Sequence, residues 1–266
     1  MKITVCQLHN GREAFTADWD RLVAHVRAQR SDLVLLPEMP FFPWFPTPRK
    51  FDAEIWRAAV EAHDAWEQRL SELMPAVALG TRPIDFGNVR YSAGFMWNEE
   101  EGMTETIHVK TCLSNEEGSW ETTWFERATP DFESATVGMA RVGMLIGLEL
   151  WIPDQAKMYG EDGVHIVAVP RVDRAANAEL AASNEEWLAG GRAAALESGA
   201  YCISSSRGGH SDYVGGAGWI ISPDGRTLAM TSGGEPFVSV AVDLNAVLRG
   251  ARRLESQKDA AGGPEH

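Results

Sequence analysis

Apolar and polar positions along this chain follow two periodicities that alternate with each other. Short apolar runs, such as residues 1–8, indicate buried strands, and stretches with apolar residues at helical spacing, such as residues 17–29, indicate helices. The strands are predicted over residues 1–8, 32–38, 76–83, 90–98, 105–113, 140–150, 164–170, 200–206, a hairpin at 218–231, and 237–244. The helices are predicted over residues 17–29, 53–73, 151–163 and 184–199. Two groups of strands separated by helices predict an α/β fold with two sheets and outer helices, a four-layer α-β-β-α sandwich.

The chain shows one continuous rhythm of strands and helices. No low-complexity linker interrupts it before the C-terminal tail, so we expect a single domain over residues 1–250. The remaining residues, 251–266, have no apolar periodicity. We expect this tail to be exposed to solvent or to lie at a subunit interface.

Composition and charge remove several functional classes. Thirty-eight acidic and twenty-four basic residues give a net charge of −14, which disfavours binding to nucleic acids and to anionic membranes. No apolar run reaches the roughly twenty residues that span a bilayer, and the N-terminus lacks the features of a signal peptide. The three cysteines are an odd number without CxxC spacing, which favours a reducing compartment and predicts no metal site. We therefore expect a cytoplasmic protein without a metal or another cofactor.

Two charged residues stand at the ends of predicted strands. Glu38 follows the apolar run 33–36 and Pro37, at the carboxyl end of a strand, where α/β sheets favour binding and catalytic groups. Lys110 ends the strand that runs through residues 106–109. A solvated glutamate and a lysine at a sheet edge are the simpler interpretations, so neither residue alone identifies a site.

Residues 140–153 carry a more specific pattern. They resemble the nucleophile strand of the carbon–nitrogen hydrolases, the nitrilase superfamily, which runs glycine, three apolar residues, cysteine, an aromatic or apolar residue and an acid. Gly143 matches the glycine of that pattern, residues 144–146 match the apolar run, and Glu149 matches the acid. Gly147 stands where the family has its catalytic cysteine.

Further segments resemble the same family in the same order. Residues 35–45 resemble its first catalytic glutamate, residues 108–113 its lysine, and residues 116–125 the segment with a second glutamate, here Glu121. Residues 187–209 and 215–228 resemble the family's helix with its following strand and its glycine-rich hairpin. Because several motifs recur in order over nearly the whole chain, the resemblance implies the family's sandwich fold.

The resemblance also implies roles for particular residues. Glu38 would be the general base and acid, and Lys110 would stabilise the oxyanion together with the backbone N–H of Leu148. Glu121 would hold Lys110 and orient the substrate. Carboxylates close to a lysine should have displaced pKa values. Gly147 offers no thiol, so no thioester can form there.

Three hypotheses follow from the glycine. The chain is a carbon–nitrogen hydrolase for amides, nitriles or N-carbamoyl amines with its nucleophile missing, by natural loss or by an engineered change. It is a pseudoenzyme that binds a ligand, or it is a non-covalent acid/base catalyst that uses Glu38, Lys110 and Glu121. The third hypothesis covers reactions such as addition or elimination that need no covalent intermediate. Separately, a water in the space of the thiol, activated by Glu38, would give a slow non-covalent hydrolysis. A relocated nucleophile at Cys112 is less favoured than a packing role for that residue.

Aromatic residues cluster around the implied site. The residues assigned to the substrate pocket are Phe42, Trp44, Trp120, Glu149, Trp151 and Arg171. Aromatic walls favour an arylacetamide, a similar amide or nitrile, or an N-carbamoyl amine, although at least half of these rings should pack elsewhere. The sequence departs from the family again at Ser206, because asparagine is common before the arginine that is Arg207 here. Family members commonly form dimers, and we expect a homodimer or a higher homo-oligomer.

Overall fold

A computed structural model of the chain describes residues 1–100, 102–130, 132–173, 180–208 and 216–247. The strands are β1 (Lys2–His9), β2 (Leu33–Leu35), β3 (Val77–Phe86), β4 (Val89–Trp97), β5 (Thr104–Val109), β6 (Ala135–Val137), β7 (Ala140–Met144), β8 (Ile166–Pro170), β9 (Tyr201–Gly208), β10 (Trp219–Ile221), β11 (Thr227–Met230) and β12 (Phe237–Ala241). The α-helices are α1 (Arg12–Gln29), α2 (Ala53–Glu67), α3 (Glu121–Trp124), α4 (Pro153–Glu161) and α5 (Leu180–Ser198). Two 3₁₀ turns span Leu70–Leu73 and Gly147–Trp151.

The strands form two groups that meet at β1. The first group runs β5-β4-β3-β2-β1, with β12 pairing antiparallel to β1, and β1, β2 and β3 are parallel. The second group runs β9-β8-β7-β6, with β10 and β11 extending it beyond β9. The end of β1 pairs in parallel with β9, from Gln7 with Ser206 to His9 with Gly208. The two predicted sheets are therefore joined by hydrogen bonds along this short ladder.

Alternating side chains along the strands build the layers. In β1, Ile3 and Val5 belong to a core that also contains Ile166 and Ile203 of the second group, so this core lies between the sheets. Cys6 of β1 faces the other way, into the cluster beneath α1. The period of two residues in a strand thus supplies both the central core and a helix-facing surface.

The long helices cover the outer faces. Helix α1 packs Trp19 and Leu22 against the first sheet, and α5 packs Ala195 against Cys202 of the second sheet. Helix α4 contributes Tyr159 to the same outer cluster as α5. The arrangement confirms the predicted four-layer sandwich.

The predicted strand over residues 140–150 is too long. The chain leaves β7 after Met144 and enters the 3₁₀ turn at Gly147, where φ is +55°. The Glu149 carboxylate closes this turn by accepting the Ile146 N–H at 2.6 Å. An apolar run without breaks concealed the end of the strand, because Gly147 supplies the left-handed conformation that an extended strand does not allow.

Other boundaries differ by a few residues. The predicted helix over residues 53–73 ends at Glu67, and only its last part continues as the 3₁₀ turn Leu70–Leu73. The strand predicted over residues 32–38 is confined to Leu33–Leu35. The predicted tail, residues 251–266, lies outside the described residues. In the described part of the chain, each helix is too short or too polar to cross a bilayer.

Candidate active site

Four elements that are far apart in sequence bring the predicted catalytic residues together. Glu38 follows β2, Lys110 follows β5, Glu121 opens α3, and Gly147 follows β7. All four line one cavity. The core between the sheets contains Leu35 of β2 and Met144 of β7, so the residues that follow these two strands lie close together.

Lys110 lies between the two carboxylates. Its Nζ atom donates to Glu38 Oε1 at 2.7 Å and to Glu121 Oε1 at 2.7 Å. The three side chains are almost fully buried. The second oxygen of Glu121 accepts the backbone N–H of Ser114 at 2.8 Å, which fixes the carboxylate beside the lysine.

Gly147 faces the same charged groups. A Cβ carbon added at Gly147 would lie 3.1 Å from Glu38 Oε2 and 3.3 Å from Lys110 Nζ. A side chain at this position would therefore start within reach of both the base and the ammonium group. The backbone N–H of Leu148 follows in the first turn of a 3₁₀ segment, where N–H groups lack partners within the turn and are available to an oxyanion.

Glu38 is poised to exchange a proton near neutral pH. Burial raises the pKa of Glu38 to about 7, against the opposing effect of Lys110 and with further increases from Glu121 and Glu149. An acid/base group works best when its pKa lies near the pH of the reaction. The displaced pKa that the resemblance implied for this carboxylate is therefore present.

Lys110 keeps its positive charge. Burial lowers the pKa of Lys110, but the carboxylates of Glu121 and Glu38 outweigh burial, so this pKa lies above its ordinary value. Lys110 is therefore suited to stabilising negative charge rather than to transferring a proton.

Glu149 holds the turn that carries Gly147. Its Oε1 accepts the N–H and the hydroxyl of Thr111 at 2.6 and 2.7 Å, and its Oε2 lies 2.8 Å from His108 Nε2. Although burial raises the pKa of Glu149, the hydrogen bond and charge interaction with His108 and the bonds from Thr111 bring it below its ordinary value. Glu149 thus ties the turn after β7 to the segment that carries Lys110.

Arg207 supports the loop that carries Glu38. Its Nε donates to the Glu38 carbonyl at 3.1 Å, and its Nη2 donates to the carbonyls of Met39 and Phe42. Burial lowers the pKa of Arg207 to about 9, against the opposing effect of the Glu38 charge. The buried guanidinium of Arg207 therefore fixes the backbone around Glu38.

The cavity beside these groups is small, about 160 Å³. Besides the four catalytic candidates and Leu148, apolar side chains of Trp44, Val172 and Trp187 line it. Its polar lining includes Ser114, Ser119, Ser183 and Glu116. In the described part of the chain, groups of three or more His, Cys, Asp or Glu arranged to hold a metal ion are absent.

The predicted pocket residues fall into two groups. Trp44 lines the cavity, whereas Glu149 is fully buried behind it, with both carboxylate oxygens bonded to protein groups. Trp120 stacks under Arg49, with the guanidinium 4.9 Å from the ring centre. Phe42 lines a different cavity. The cavity lined by Glu38, Lys110, Glu121 and Gly147, which we call the catalytic cavity, therefore does not include Glu149, Trp120 or Phe42 in its described lining.

Trp151 and Arg171 lie one layer outside that lining. Trp151 is 45% exposed and packs at 5.3 Å on the ring of Trp187, which does face the cavity. The guanidinium of Arg171 lies 5.2 Å from the centre of the Trp187 ring and forms an ion pair with the buried Asp173. Both residues support Trp187 rather than line the cavity.

Trp187, Ser114 and His108 were not among the predicted site residues. Trp187 lies on the long helix α5. The sequence alone indicates only a buried helix position for it, because the other residues that line the cavity are distant in sequence. The Ser114 contribution is a backbone N–H, which side-chain patterns do not reveal. Cys112 is half-buried and is not part of the described lining, and burial raises the pKa of its thiol.

Comparisons with known proteins agree with the fold. A family model described as "Carbon-nitrogen hydrolase" matches residues 2–252. A carbon–nitrogen hydrolase from Helicobacter pylori G27 superposes with a TM-score of 0.77 at 17% identity, covering 97% of this chain and 94% of that one. An amidase from Nesterenkonia sp. gives a TM-score of 0.72 at 18% identity, covering 97% of this chain and 95% of that one.

A third similar structure is a mutant amidase with a covalent adduct. The E-to-Q mutant of the amidase from Nesterenkonia sp. AN1, with the acetamide moiety of fluoroacetamide added covalently at its active site cysteine, gives a TM-score of 0.74 at 19% identity. The alignment covers 97% of this chain and 96% of that one. At these identities the superpositions show the fold alone. A comparison with curated proteins found no match.

Proposed function

Because this chain belongs to the carbon–nitrogen hydrolase family, we propose that it binds a short amide, nitrile or N-carbamoyl compound in the cavity at Gly147 and lacks covalent hydrolase activity. The observation that carries this proposal is the position of Gly147, from which a Cβ would lie 3.1 Å from Glu38 Oε2 and 3.3 Å from Lys110 Nζ. The nucleophile's place is thus framed by a base and an ammonium group, with no side chain to attack the substrate.

The retained groups would bind and polarise a substrate. Lys110 and the N–H of Leu148 would hold the carbonyl oxygen, and Glu121 would keep Lys110 in position through its bond of 2.7 Å. Loss of a covalent nucleophile typically costs several orders of magnitude in rate, while binding and charge stabilisation persist. We therefore expect ligand binding without fast turnover.

The size of the cavity favours a short acyl group. A volume of about 160 Å³ is close to the volume of about 150 Å³ that accommodates one benzene ring. An arylacetamide, which the aromatic sequence segments favoured, needs room for a ring and an amide together. Trp44 and Trp187 are the aromatic rings of the described lining, and they close the cavity rather than extend it.

Restoring the nucleophile tests this proposal. Gly147→Cys should give ammonia release from short amides, nitriles or N-carbamoyl amines, whereas the unaltered chain and Gly147→Ala should not. Gly147→Ala is the matched control, because it adds the Cβ without the thiol. If Gly147→Cys is folded, binds short amides in a calorimeter and still releases no ammonia, the hydrolase interpretation is wrong and a ligand-binding pseudoenzyme is favoured.

A second candidate is a direct attack by water. The Glu38 pKa of about 7 leaves this group able to accept a proton from a water beside Gly147. The water oxygen would add to the carbonyl carbon, the oxyanion would rest on Lys110 and Leu148, and Glu38 would pass the proton to the leaving amine as the C–N bond breaks. The products would be a carboxylic acid and ammonia. Slow turnover by the unaltered chain that Glu38→Gln abolishes and Cys112→Ser leaves unchanged would support this candidate.

The wider organisation of the protein is also part of the proposal. The family match over residues 2–252 supports one domain over residues 1–250. The exposed side chains of Trp151 and Leu196 near helix α5 support a homodimer or a higher homo-oligomer. A monomer in analytical ultracentrifugation at working concentration would contradict this assembly. The free cysteines Cys6, Cys112 and Cys202 support a cytoplasmic location.

A further inference from the structure

A second and larger cavity lies between helices α1 and α2. Its volume is about 390 Å³, within the range of about 300 to 1,000 Å³ that is usual for small-molecule sites and more than twice that of the catalytic cavity. The loop that carries Pro40–Pro43 forms one side, and helix α2 forms another with the small residues Ala58, Ala62 and Ala65. The alanines leave open space where larger side chains would have filled the gap between the helices.

The walls of this second cavity are aromatic. Phe41 and Trp66 stack with ring centres 5.6 Å apart and planes within 2° of each other. Phe15 meets the Trp66 ring edge-on at 4.9 Å. The rings therefore form a rigid apolar surface of the kind that receives another aromatic ring.

Polar groups border the same cavity. Asn10 Oδ1 accepts hydrogen bonds from the backbone N–H of Trp44 and from Arg207 Nη1, each at 2.8 Å. The amide nitrogen of Asn10 is consequently turned away from these two donors, and it has no acceptor in the part of the chain that the structure describes. Arg12 also borders the cavity, with its guanidinium 5.3 Å from the centre of the Phe42 ring. Asn10 and Arg12 together offer donors to a carboxylate.

Helix α2 contributes the opposite charge. Glu61 borders the cavity from α2, whereas Arg12 belongs to α1. A ligand that uses both would carry a carboxylate and an ammonium group beside an aromatic ring. We propose that the cavity between α1 and α2 is a second ligand site for an aromatic α-amino acid, recognised by Asn10, Arg12 and Glu61 and by the rings of Phe41 and Trp66.

The loop between the two cavities would connect such a ligand to the catalytic cavity. Trp44, whose N–H is held by Asn10, lines the catalytic cavity, and Phe42 lines the second one. Arg207 bonds Asn10 and also the carbonyls of Glu38 and Phe42. A ligand that moves Asn10 therefore acts on the same loop that carries Glu38 and Trp44. If a ligand in the second cavity changes the affinity of the catalytic cavity for its ligand, thermodynamic reciprocity requires the reverse change to have the same factor.

Calorimetry with the unaltered chain tests the site directly. Phenylalanine should bind most tightly of three ligands. Phenylpropionate, which lacks the ammonium group, should bind about tenfold more weakly than phenylalanine. Phenethylamine, which lacks the carboxylate, should bind more weakly than phenylpropionate. Arg12→Gln should weaken the binding of phenylalanine and phenylpropionate by about tenfold each, and Glu61→Gln should weaken the binding of phenylalanine and phenethylamine but not of phenylpropionate. The proposal is wrong if phenylalanine does not bind, or if phenethylamine binds as tightly as phenylalanine.

Variants that fill the cavity locate the site. Ala62→Leu and Ala65→Leu project larger side chains from α2 and should each abolish phenylalanine binding, and the second variant serves if the first fails to fold. Ala28→Leu on the exposed face of α1, near the end of the helix away from the cavity, is the matched control and should bind normally. Equal binding by folded Ala62→Leu and Ala28→Leu would place the ligand elsewhere and overturn the proposal.

The coupling needs a separate measurement. Saturating phenylalanine should shift the dissociation constant of a short amide in the catalytic cavity by about fivefold or more, and Arg12→Gln should remove the shift at the same phenylalanine concentration. An unchanged amide affinity with phenylalanine bound would overturn the connection through the loop. If no amide binds at all, the proposed function fails, while the binding data for phenylalanine still decide the second site.

Discussion

Gly147 and Glu38 face each other so closely that a Cβ carbon on Gly147 would lie 3.1 Å from Glu38 Oε2. The backbone at Gly147 has φ of +55°, a left-handed conformation that glycine adopts without cost and that other residues adopt rarely. A side chain at this position would therefore lie beside Glu38 and Lys110 and would strain the backbone at the same time.

The first prediction concerns the cost of that backbone. Gly147→Ala should lower the free energy of unfolding by about 1 to 2 kcal/mol, because alanine must adopt the left-handed conformation with its Cβ close to Glu38 and Lys110. Denaturant unfolding followed by circular dichroism measures the change. Gly234→Ala is a suitable control, because a Cβ there meets nothing within 4 Å and Gly234 does not have the left-handed φ of Gly147. A stabilised Gly147→Ala variant would show that the turn relaxes around the new side chain.

The second prediction concerns Glu38 and pH. Its pKa is raised from 4.5 in a free glutamate to about 7 in the folded protein, so the folded state binds more protons than the unfolded state between these values. The contribution of Glu38 to stability is then fully present below about pH 4.5 and is lost as pH rises through about 7. Glu38→Gln should flatten this part of the stability profile, measured by denaturant unfolding across the range.

A control separates Glu38 from the other carboxylates. Glu161→Gln, at an exposed position on α4, should leave the slope of the profile between these pH values unchanged. The interpretation fails if Glu38→Gln and the unaltered chain lose stability in parallel as pH rises. That result would mean that Glu38 is ionised throughout the range, held in that form by Lys110.

The sequence indicated which residues would converge better than it indicated the lining of the pocket. Glu38 and Gly147 follow apolar runs, whereas Lys110 follows the more polar strand β5, and the family-like order of the motifs made all three identifiable. Their convergence in one cavity also needs the packing of the two sheets against each other.

The pocket was harder to predict because its walls depend on side-chain direction. Trp120 and Trp151 are adjacent in sequence to site segments, yet one stacks under Arg49 and the other packs on the outer side of Trp187. Glu149 matches the acid of the family pattern, and its position in the sequence did not reveal that its carboxylate closes a backbone turn. Sequence proximity thus identified the neighbourhood, and the tertiary packing decided which rings face the cavity.

The third prediction concerns Glu149. Its carboxylate accepts bonds from the N–H groups of Ile146 and Thr111 and from the Thr111 hydroxyl, and it faces His108, all inside the protein. Glu149→Gln replaces an acceptor oxygen with a donor NH₂ and leaves a buried N–H group facing another donor. We expect a loss of about 2 to 4 kcal/mol in the free energy of unfolding.

The exposed glutamate of α4 again provides the comparison. Glu161 lies 3.8 Å from Lys157 at the surface, and Glu161→Gln should change stability by no more than about 0.5 kcal/mol. Equal and small effects of the two substitutions in urea unfolding would contradict a structural role for the Glu149 network.

The last prediction concerns Trp187 as the wall that limits substrate size. Trp187 faces the catalytic cavity of about 160 Å³, and its removal should enlarge that cavity toward Arg171, whose guanidinium lies 5.2 Å from the centre of the Trp187 ring. Trp187→Ala should therefore bind phenylacetamide at least about tenfold more tightly, relative to propionamide, than the unaltered chain does. Isothermal titration calorimetry on chains that retain Gly147 measures both ligands without turnover. Trp151→Ala removes the ring on the exposed side of the same pair, 5.3 Å away, and should leave this ratio close to that of the unaltered chain. If both substitutions shift the ratio of the two affinities equally, the Trp151–Trp187 pair sets the size limit as a unit. If neither substitution shifts this ratio, Trp187 does not set the limit, and the loop that carries Trp44 is the next part of the lining to test.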